Sequence, residues 1–299
     1  MYSFLDINKI INNEVIIVVK DSFIAQKSDN IQKTAHCIDT VCLELKKRKI
    51  SYKLIKRSQL MAYFNEQLVI SIGGDGTLLD ASHHCKNSLL LGINSDEQHS
   101  IGALCTAFVT DFFLMLDNLY KKQADILEIS RLRVFINDQL VDVPVLNEIL
   151  FCHSNPASIS KYSIKINDLE ETHRSSGIFV CTSIGCSGAV FSDGGLILPI
   201  TQKKAQYLVR EFYWSDKTIP KLLQGLIGDN EAIVIKNEIE NAKIYIDGAH
   251  KSFIVPKNAL VKIEISPSPL WLFRSEKLIN RNRLIEQRGQ HVKSIRSST

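Results

Sequence analysis

The most constraining feature of the chain is the stretch Leu68-Val69-Ile70-Ser71-Ile72-Gly73-Gly74-Asp75-Gly76-Thr77-Leu78-Leu79-Asp80. Its first five residues are apolar or β-prone, which fits a short strand buried on both faces. Gly73 and Gly74 supply a turn where the backbone takes positive φ and a ligand approaches closely. Thr77 is a good N-cap, so the expectation is a helix opening there, with Leu78, Leu79, Ala81 and Ser82 in its first turn. A strand, a glycine turn and a helix N-terminus together favour phosphate through free N–H groups and the helix dipole. Asp75 is the unusual member, because a carboxylate repels phosphate. It makes sense there if a divalent cation bridges the two, or if it accepts a proton from an attacking hydroxyl. Phosphoryl transfer needs both functions.

Other elements fall into two regimes. Glu14 to Lys20 is a continuous apolar run, and Ile31, Ala35, Ile38, Cys42 and Leu45 recur at helical spacing before Lys46-Lys47-Arg48-Lys49. Tyr52 to Ile55 is a weaker strand, Ser88 to Asn94 another buried strand expected to end in a glycine turn at Gly92-Ile93-Asn94, and about Val109 to Lys122 a helix. Strands alternating with helices predict an open, mostly parallel sheet, with ligands beyond the strands' C-terminal ends. After Ala124 the period becomes two: Leu132, Val134 and Ile136, Leu140 to Val145, Tyr162 to Ile166, Ile233 to Ile235, Ile244 to Ile246 and Val261 to Ile265. Turns at Asn137-Asp138, Asn167-Asp168, Asp193-Gly194-Gly195 and Asp247-Gly248 separate such strands. The fold class expected is therefore an α/β N-terminal domain over residues 1–125 and a β-rich C-terminal domain over residues 126–269. Leu270 to Phe273 is apolar and needs burial, so residues 270–299 are expected to return to the first domain.

Charge and cysteine usage exclude several classes. The net charge of +4 collects at one end, where seven basic residues face two acidic ones from Arg274 onward. The body is close to neutral, which argues against a nucleic-acid groove. Seven cysteines with no Cys-x-x-Cys fit neither a disulfide framework nor a zinc site, and Cys42, Cys85, Cys105 and Cys181 read as small core hydrophobes. No apolar run approaches a membrane span, and Met1 to Asp6 lacks a signal-peptide pattern, so a cytoplasmic protein is expected.

Two further segments carry chemistry. Asn147-Glu148, expected just after a strand over Val143 to Leu146, offers an amide beside a carboxylate able to chelate a ribose diol. The run from Arg174 to Gly195 combines a strand at Ile178 to Cys181 with a loop of small residues that admits a flat ligand. Gly73-Gly74-Asp75-Gly76-Thr77, Asn147-Glu148, the Gly177-to-Gly195 loop and Asp247-Gly248, in this order and spacing, resemble the NAD kinase family over residues 68–250. Leu91 to Asp96, Ser100 to Cys105 and Arg174-Ser175-Ser176-Gly177 look like its plant NADH kinase and mitochondrial-type branch.

The resemblance implies phosphorylation of the adenosine-ribose 2′-hydroxyl of NAD or NADH, with ATP as donor and Mg²⁺ as cofactor, in a homodimer or homotetramer. It implies Asp75 as general base or metal-side carboxylate, Gly74 and Gly76 lining phosphates, and Asn147 and Glu148 holding the dinucleotide's ribose and adenine end. Gly73, Thr77, Gly177, Gly185 and Asp247 fall on the family's motifs. Ser176 stands where many relatives have Asp, and Cys186 replaces a hydroxyl that Ser187 can supply. His250, near Asp247-Gly248, can contact a phosphate. His83 and His84 point to different helix faces and do not form a metal pair, while Tyr213 and Trp214 read as core or interface. The same glycine motif occurs in diacylglycerol and sphingosine kinases, and a non-catalytic NAD(H) sensor is a third reading.

Overall fold

The computed structural model describes residues 5–21, 29–96, 102–214, 219–276 and 278–280. The N-terminal tetrapeptide, the Ile31 side chain, Ser100-Ile101, Lys277 and the basic tail from Arg281 onward, all singled out above, lie outside the described residues. Two compact units emerge: Met1–Glu128 with Leu270–Thr299, so far as these are described, and Ile129–Pro269.

The first unit contains β1 (Val15–Val19), β2 (Tyr52–Lys56), β3 (Phe64–Asn65), β4 (Leu68–Gly73), β5 (Cys85–Lys86), β6 (Leu89–Asn94) and β7 (Ile126–Ile129). Helices α1 (Ile7–Asn12), α2 (Asp29–Lys47), α3 (Asp75–His83) and α4 (Val109–Tyr120) accompany them. Every residue of β1, β4 and β6 is buried, as their unbroken apolar runs require for strands covered on both faces. β2 pairs with β1 only, at the sheet edge, which is why Lys53 and Leu54 tolerate exposure there. On α2, Cys37, Val41 and Leu45 recur every four residues and form its buried stripe. β1, β2, β4 and β6 are parallel, and the register sets Gly73 opposite Asn94, so the C-terminal ends of β4 and β6 finish side by side. Gly92 lies inside β6, not in a turn at its end; a Cβ there would meet the Leu78 side chain at 2.4 Å, so close packing is what calls for the glycine.

The second unit runs through β8 (Leu132–Ile136), β9 (Gln139–Leu140), β10 (Glu148–His153), β11 (Ser160–Ile166), β12 (Leu169–Ser175) and β13 (Gly177–Thr182). It continues through the short α5 (Ala189–Ser192), then β14 (Ala205–Arg210), β15 (Gln224–Ile227), β16 (Ala232–Asn237), β17 (Ala242–Ile246), β18 (Lys251–Val255) and β19 (Leu260–Ile265). One sheet has the order β15-β14-β13-β10-β17-β18 and the other β12-β11-β16-β19-β8-β9. Their inner faces share a core that includes Phe151, Tyr162, Ile178, Ile235, Ile244 and Val261. The alternating burial of β11, β16 and β17 is the period-two pattern of the sequence made physical.

The chain then returns to the first unit as β20 (Leu270–Phe273), which pairs in parallel with β6 and lies between β6 and β7. Leu270, Leu272 and Phe273 are buried.

Two strand expectations fail. Only Gln139–Leu140 of the segment before Val145 is a strand; from Val141 the chain loops, with Val145 held by a single bridge to Leu132. Asn147-Glu148 therefore does not follow a strand over Val143 to Leu146, and Glu148 instead opens β10. The alternation of valines there reflects packing of a loop against the core, not sheet pairing.

Candidate active site

In the first unit the site is built on the end of β4. Gly73 has φ +156°, and a Cβ there would lie 2.4 Å from the Thr77 hydroxyl oxygen, so only glycine closes this turn. Helix α3 begins at Asp75, with Gly74 as its N-cap and no side chain capping its first N–H groups. This corrects the expectation for Thr77, which sits inside the first turn, not at the cap. Asp75 takes the early acidic position that the dipole favours. The Thr77 hydroxyl is buried and has no hydrogen-bond partner among the described residues. Its methyl and hydroxyl instead pack under Gly73.

Asp75 is partly exposed and held from one side. Its carboxylate accepts the Ala103 N–H at 2.9 Å and the Leu104 N–H at 2.7 Å. The loop that supplies these donors is set by Gly102, at φ +52°, lying so close to the Asn94 side chain that a Cβ would meet its amide nitrogen at 2.4 Å. A carboxylate fixed by two backbone donors keeps lone pairs directed away from them. It can accept a proton or bind a cation there. Gly76 is exposed, and Arg57, engaged by Asp80, sits beside it. Sequence reading missed Arg57, a lone arginine after a weak strand, and the bracing role of Ala103 and Leu104, whose backbone leaves no trace in residue type.

In the second unit Asp247 organises the Asn147-Glu148 segment. It adopts φ +49°, and its carboxylate accepts the N–H groups of Leu146 at 2.9 Å, Asn147 at 2.7 Å and Glu148 at 3.1 Å. The Asn147 carbonyl accepts the Thr182 N–H at 2.9 Å, and the Thr182 hydroxyl accepts the Gly185 N–H at 2.9 Å. A Cβ on Gly185 would fall 2.1 Å from the Asn147 carbonyl oxygen, so the glycine is required by backbone contact. This scaffold leaves the Asn147 side-chain oxygen buried with no partner among the described residues. An orphan acceptor of this kind costs free energy unless a ligand's donor meets it.

Glu148 lies beside a cavity of about 540 Å³ that is also lined by Ser176, Phe179, Arg210, Glu211, Tyr245 and Gly248. Burial, and next the nearby Asp247 carboxylate, push the Glu148 carboxyl up to about 7. The Ser176 hydroxyl donates to Glu211, and Arg210 binds Asp193 at 3.0 Å while stacking over the Phe179 ring at 5.1 Å. Gly177, at φ +123°, packs against the Phe151 carbonyl, where a Cβ would lie at 2.3 Å. Ser187 is partly buried and near the Ile184 carbonyl, while His250 is exposed. Asn147, Glu148, Gly185 and Asp247 thus form one bonded cluster, with Ser176 along the same cavity as Glu148. Tyr213 and Trp214 are 57% and 66% exposed, so neither is a core residue. Cys85, Cys105 and Cys181 are buried as small hydrophobes, and Cys42 is partly exposed.

A probable NADH kinase of Oryza sativa subsp. japonica is 33% identical over 229 residues, covering 69% of this chain and 70% of that protein. The chain belongs to the NAD kinase family. An NADH kinase of Arabidopsis thaliana is 27% identical, covering 77% of this chain and 80% of its own. No protein-family model matches the sequence. Among solved structures, an NAD kinase from Archaeoglobus fulgidus in complex with ATP superimposes with a TM-score of 0.67 at 21% identity, covering 92% of this chain and 98% of that one. Yeast NADH kinase complexed with NADH gives a TM-score of 0.69 at 13% identity, covering 91% and 87%. At these identities the two structures establish the shared fold: an α/β parallel-sheet unit and an antiparallel β unit.

Proposed function

We propose that this chain transfers the terminal phosphoryl group of ATP to the adenosine-ribose 2′-hydroxyl of NAD or NADH. The observation that carries the reading is Asp75: a carboxylate fixed by two backbone N–H groups at an uncapped helix start, in a chain one-third identical to a plant NADH kinase. A ribose hydroxyl is a weak nucleophile, so the enzyme must orient it in line with the phosphoryl group and accept its proton. In this reading the 2′-oxygen forms the new O–P bond, the bond from that phosphorus to the ADP oxygen breaks, and the hydroxyl proton passes to Asp75. The open N–H groups of α3 meet phosphate oxygens. The orphan Asn147 side-chain oxygen accepts from a ribose hydroxyl or the adenine amino group, and ionised Glu148 takes a ribose diol.

Mg²⁺ fits this donor set. Magnesium is bound through one or two carboxylates plus substrate phosphates and water, and Asp75 keeps lone pairs for that role. Among the described residues no cluster of three acidic, cysteine or histidine side chains forms a cage, so Asp75 and the donor's phosphates would hold the ion. When bound, it supplies charge neutralisation on the departing ADP.

The same reading takes the chain as a homodimer or homotetramer, a view supported by the exposure of Tyr213 and Trp214 on the second unit. No described helix is long and apolar enough to cross a membrane. The deciding experiment incubates the chain with ATP, Mg²⁺ and NAD, NADH or a diacylglycerol. Phosphate on the dinucleotide supports the proposal, and its preference between the two redox forms comes from the same assay. Phosphate on the lipid overturns it, and binding of NADH with no transfer to any acceptor leaves a sensor.

A further inference from the structure

Arg57 has no assigned part in the site, yet its surroundings are built around it. β2 and β4 flank β1 in a parallel sheet, so Arg57, just after β2, and Gly74-Asp75, just after β4, lie at the same C-terminal sheet edge. That edge is where open α/β sheets hold ligands. Asp80, on α3, engages the guanidinium through Nε and Nη2, with both side chains about one-quarter exposed. The fork is thereby held in one plane, and Nη1 has no partner among the described residues. Nη1 stands 3.8 Å from where a Cβ on Gly76 would project, and nothing else lies closer to that point. A gap therefore separates the cationic fork from an exposed glycine at an uncapped helix N-terminus. At the same turn the fully buried Thr77 hydroxyl, packed under Gly73, lacks a hydrogen-bond partner among the described residues.

We propose that Arg57 binds the outer phosphates of the nucleotide donor across this gap, and that Asp80 is the positioning residue that aims it. The proposal rests on the reading of the glycine turn as the donor site. Arginine suits the task because its planar fork presents several N–H groups to phosphate at once, which lysine cannot. A carboxylate-rich neighbourhood needs such a cation. Asp75, Asp80 and Asp21 all lie around the turn, and Arg57 is among the charges acting on Asp21, after the stronger hydrogen bond from Ser58. As a mere structural ion pair, the partly exposed Arg57–Asp80 contact would contribute at most about 1 kcal/mol, and its loss would touch neither substrate selectively.

The test measures KM for ATP and for NADH separately in the full chain, and calorimetric binding of tripolyphosphate without any acceptor. Arg57→Ala and Arg57→Lys are expected to raise the KM for ATP tenfold or more, to leave that for NADH within twofold, and to weaken tripolyphosphate equally. Asp80→Asn should fall between these and the parent. Gly76→Ala meets only ordinary contacts, so it should melt at the parent temperature yet weaken tripolyphosphate by narrowing the gap. Unchanged ATP and tripolyphosphate affinity in a folded Arg57→Ala protein overturns the proposal, as does an equal rise in both KM values. Should the parent phosphorylate no dinucleotide, the kinase reading fails by itself, and tripolyphosphate binding still judges Arg57.

Discussion

At the scale of single residues, Asp75 and Glu148 are two carboxylates given opposite treatment. Asp75 accepts two backbone N–H groups, whereas Glu148 is buried next to another carboxylate. Asp75→Asn removes the proton acceptor and turns an amide N–H toward one of the loop donors. It is expected to lower turnover by roughly 10²- to 10⁴-fold while NADH still binds, as steady-state kinetics and fluorescence titration can show. For Glu148 the folded state raises the carboxyl to about 7 from an ordinary value of 4.5. The fold therefore favours the protonated form, and the stability associated with it is present at low pH and lost as pH rises from about 4.5 through about 7. Glu148→Gln should melt above the parent at pH 8, by up to ~3 kcal/mol of stability, and match it near pH 4. Because the ionised form is the one proposed to take the ribose diol, NADH affinity should strengthen from pH 6 to pH 8 in the parent and stay flat in the variant.

At the scale of elements, the glycine positions separate backbone necessity from ligand access. Gly177→Ala combines a positive φ with a contact of 2.3 Å to the Phe151 carbonyl, and urea unfolding should show a loss of roughly 2 kcal/mol or more. Gly185→Ala pushes on the Asn147 carbonyl, so its first effect should be a KM for NADH raised tenfold or more with the KM for ATP little changed. How far such elements could be read beforehand depended on the kind of burial. β1, β4 and β6 announced themselves because burial on both faces demands unbroken apolar runs. β12 did not, since Leu169-Glu170-Glu171-Thr172-His173-Arg174-Ser175 is an edge strand whose outward residues are polar and whose pairing with β11 supplies the order. Thr77 misled because a glycine backbone can open a helix without a side-chain cap. Asp75, Asn147 and Glu148 were visible as residue types in a recognisable order. Asp75 is held by the main-chain N–H groups of Ala103 and Leu104, and the Asn147-Glu148 backbone donates to the carboxylate of the distant Asp247; composition carries no sign of either pairing.

At the scale of the whole molecule, β20 decides how the first unit is closed. It lies between β6 and β7, so it is an interior strand, with Leu272 fully buried. A chain stopped after Pro269 should lose the cooperative melt of the first unit, and proteolysis should then cut within residues 5–128 while the β sandwich over residues 129–269 survives. The sandwich has its own core, which includes Phe151, Tyr162 and Ile235, so it can persist without that strand.

This arrangement sets a timetable on the ribosome. The segment bearing Asp75 emerges early, yet its sheet waits with a vacant slot beside Leu89–Asn94 until Leu270–Phe273 has been translated. Ordinarily an N-terminal domain matures before its successor leaves the exit tunnel. Here the nascent α/β half stays unfinished through the synthesis of some 140 intervening residues. A polypeptide released in that interval lacks the strand that fills the slot beside Leu89–Asn94, so its α/β half is expected to stay open along that edge and to be cut there by protease before the later sandwich is.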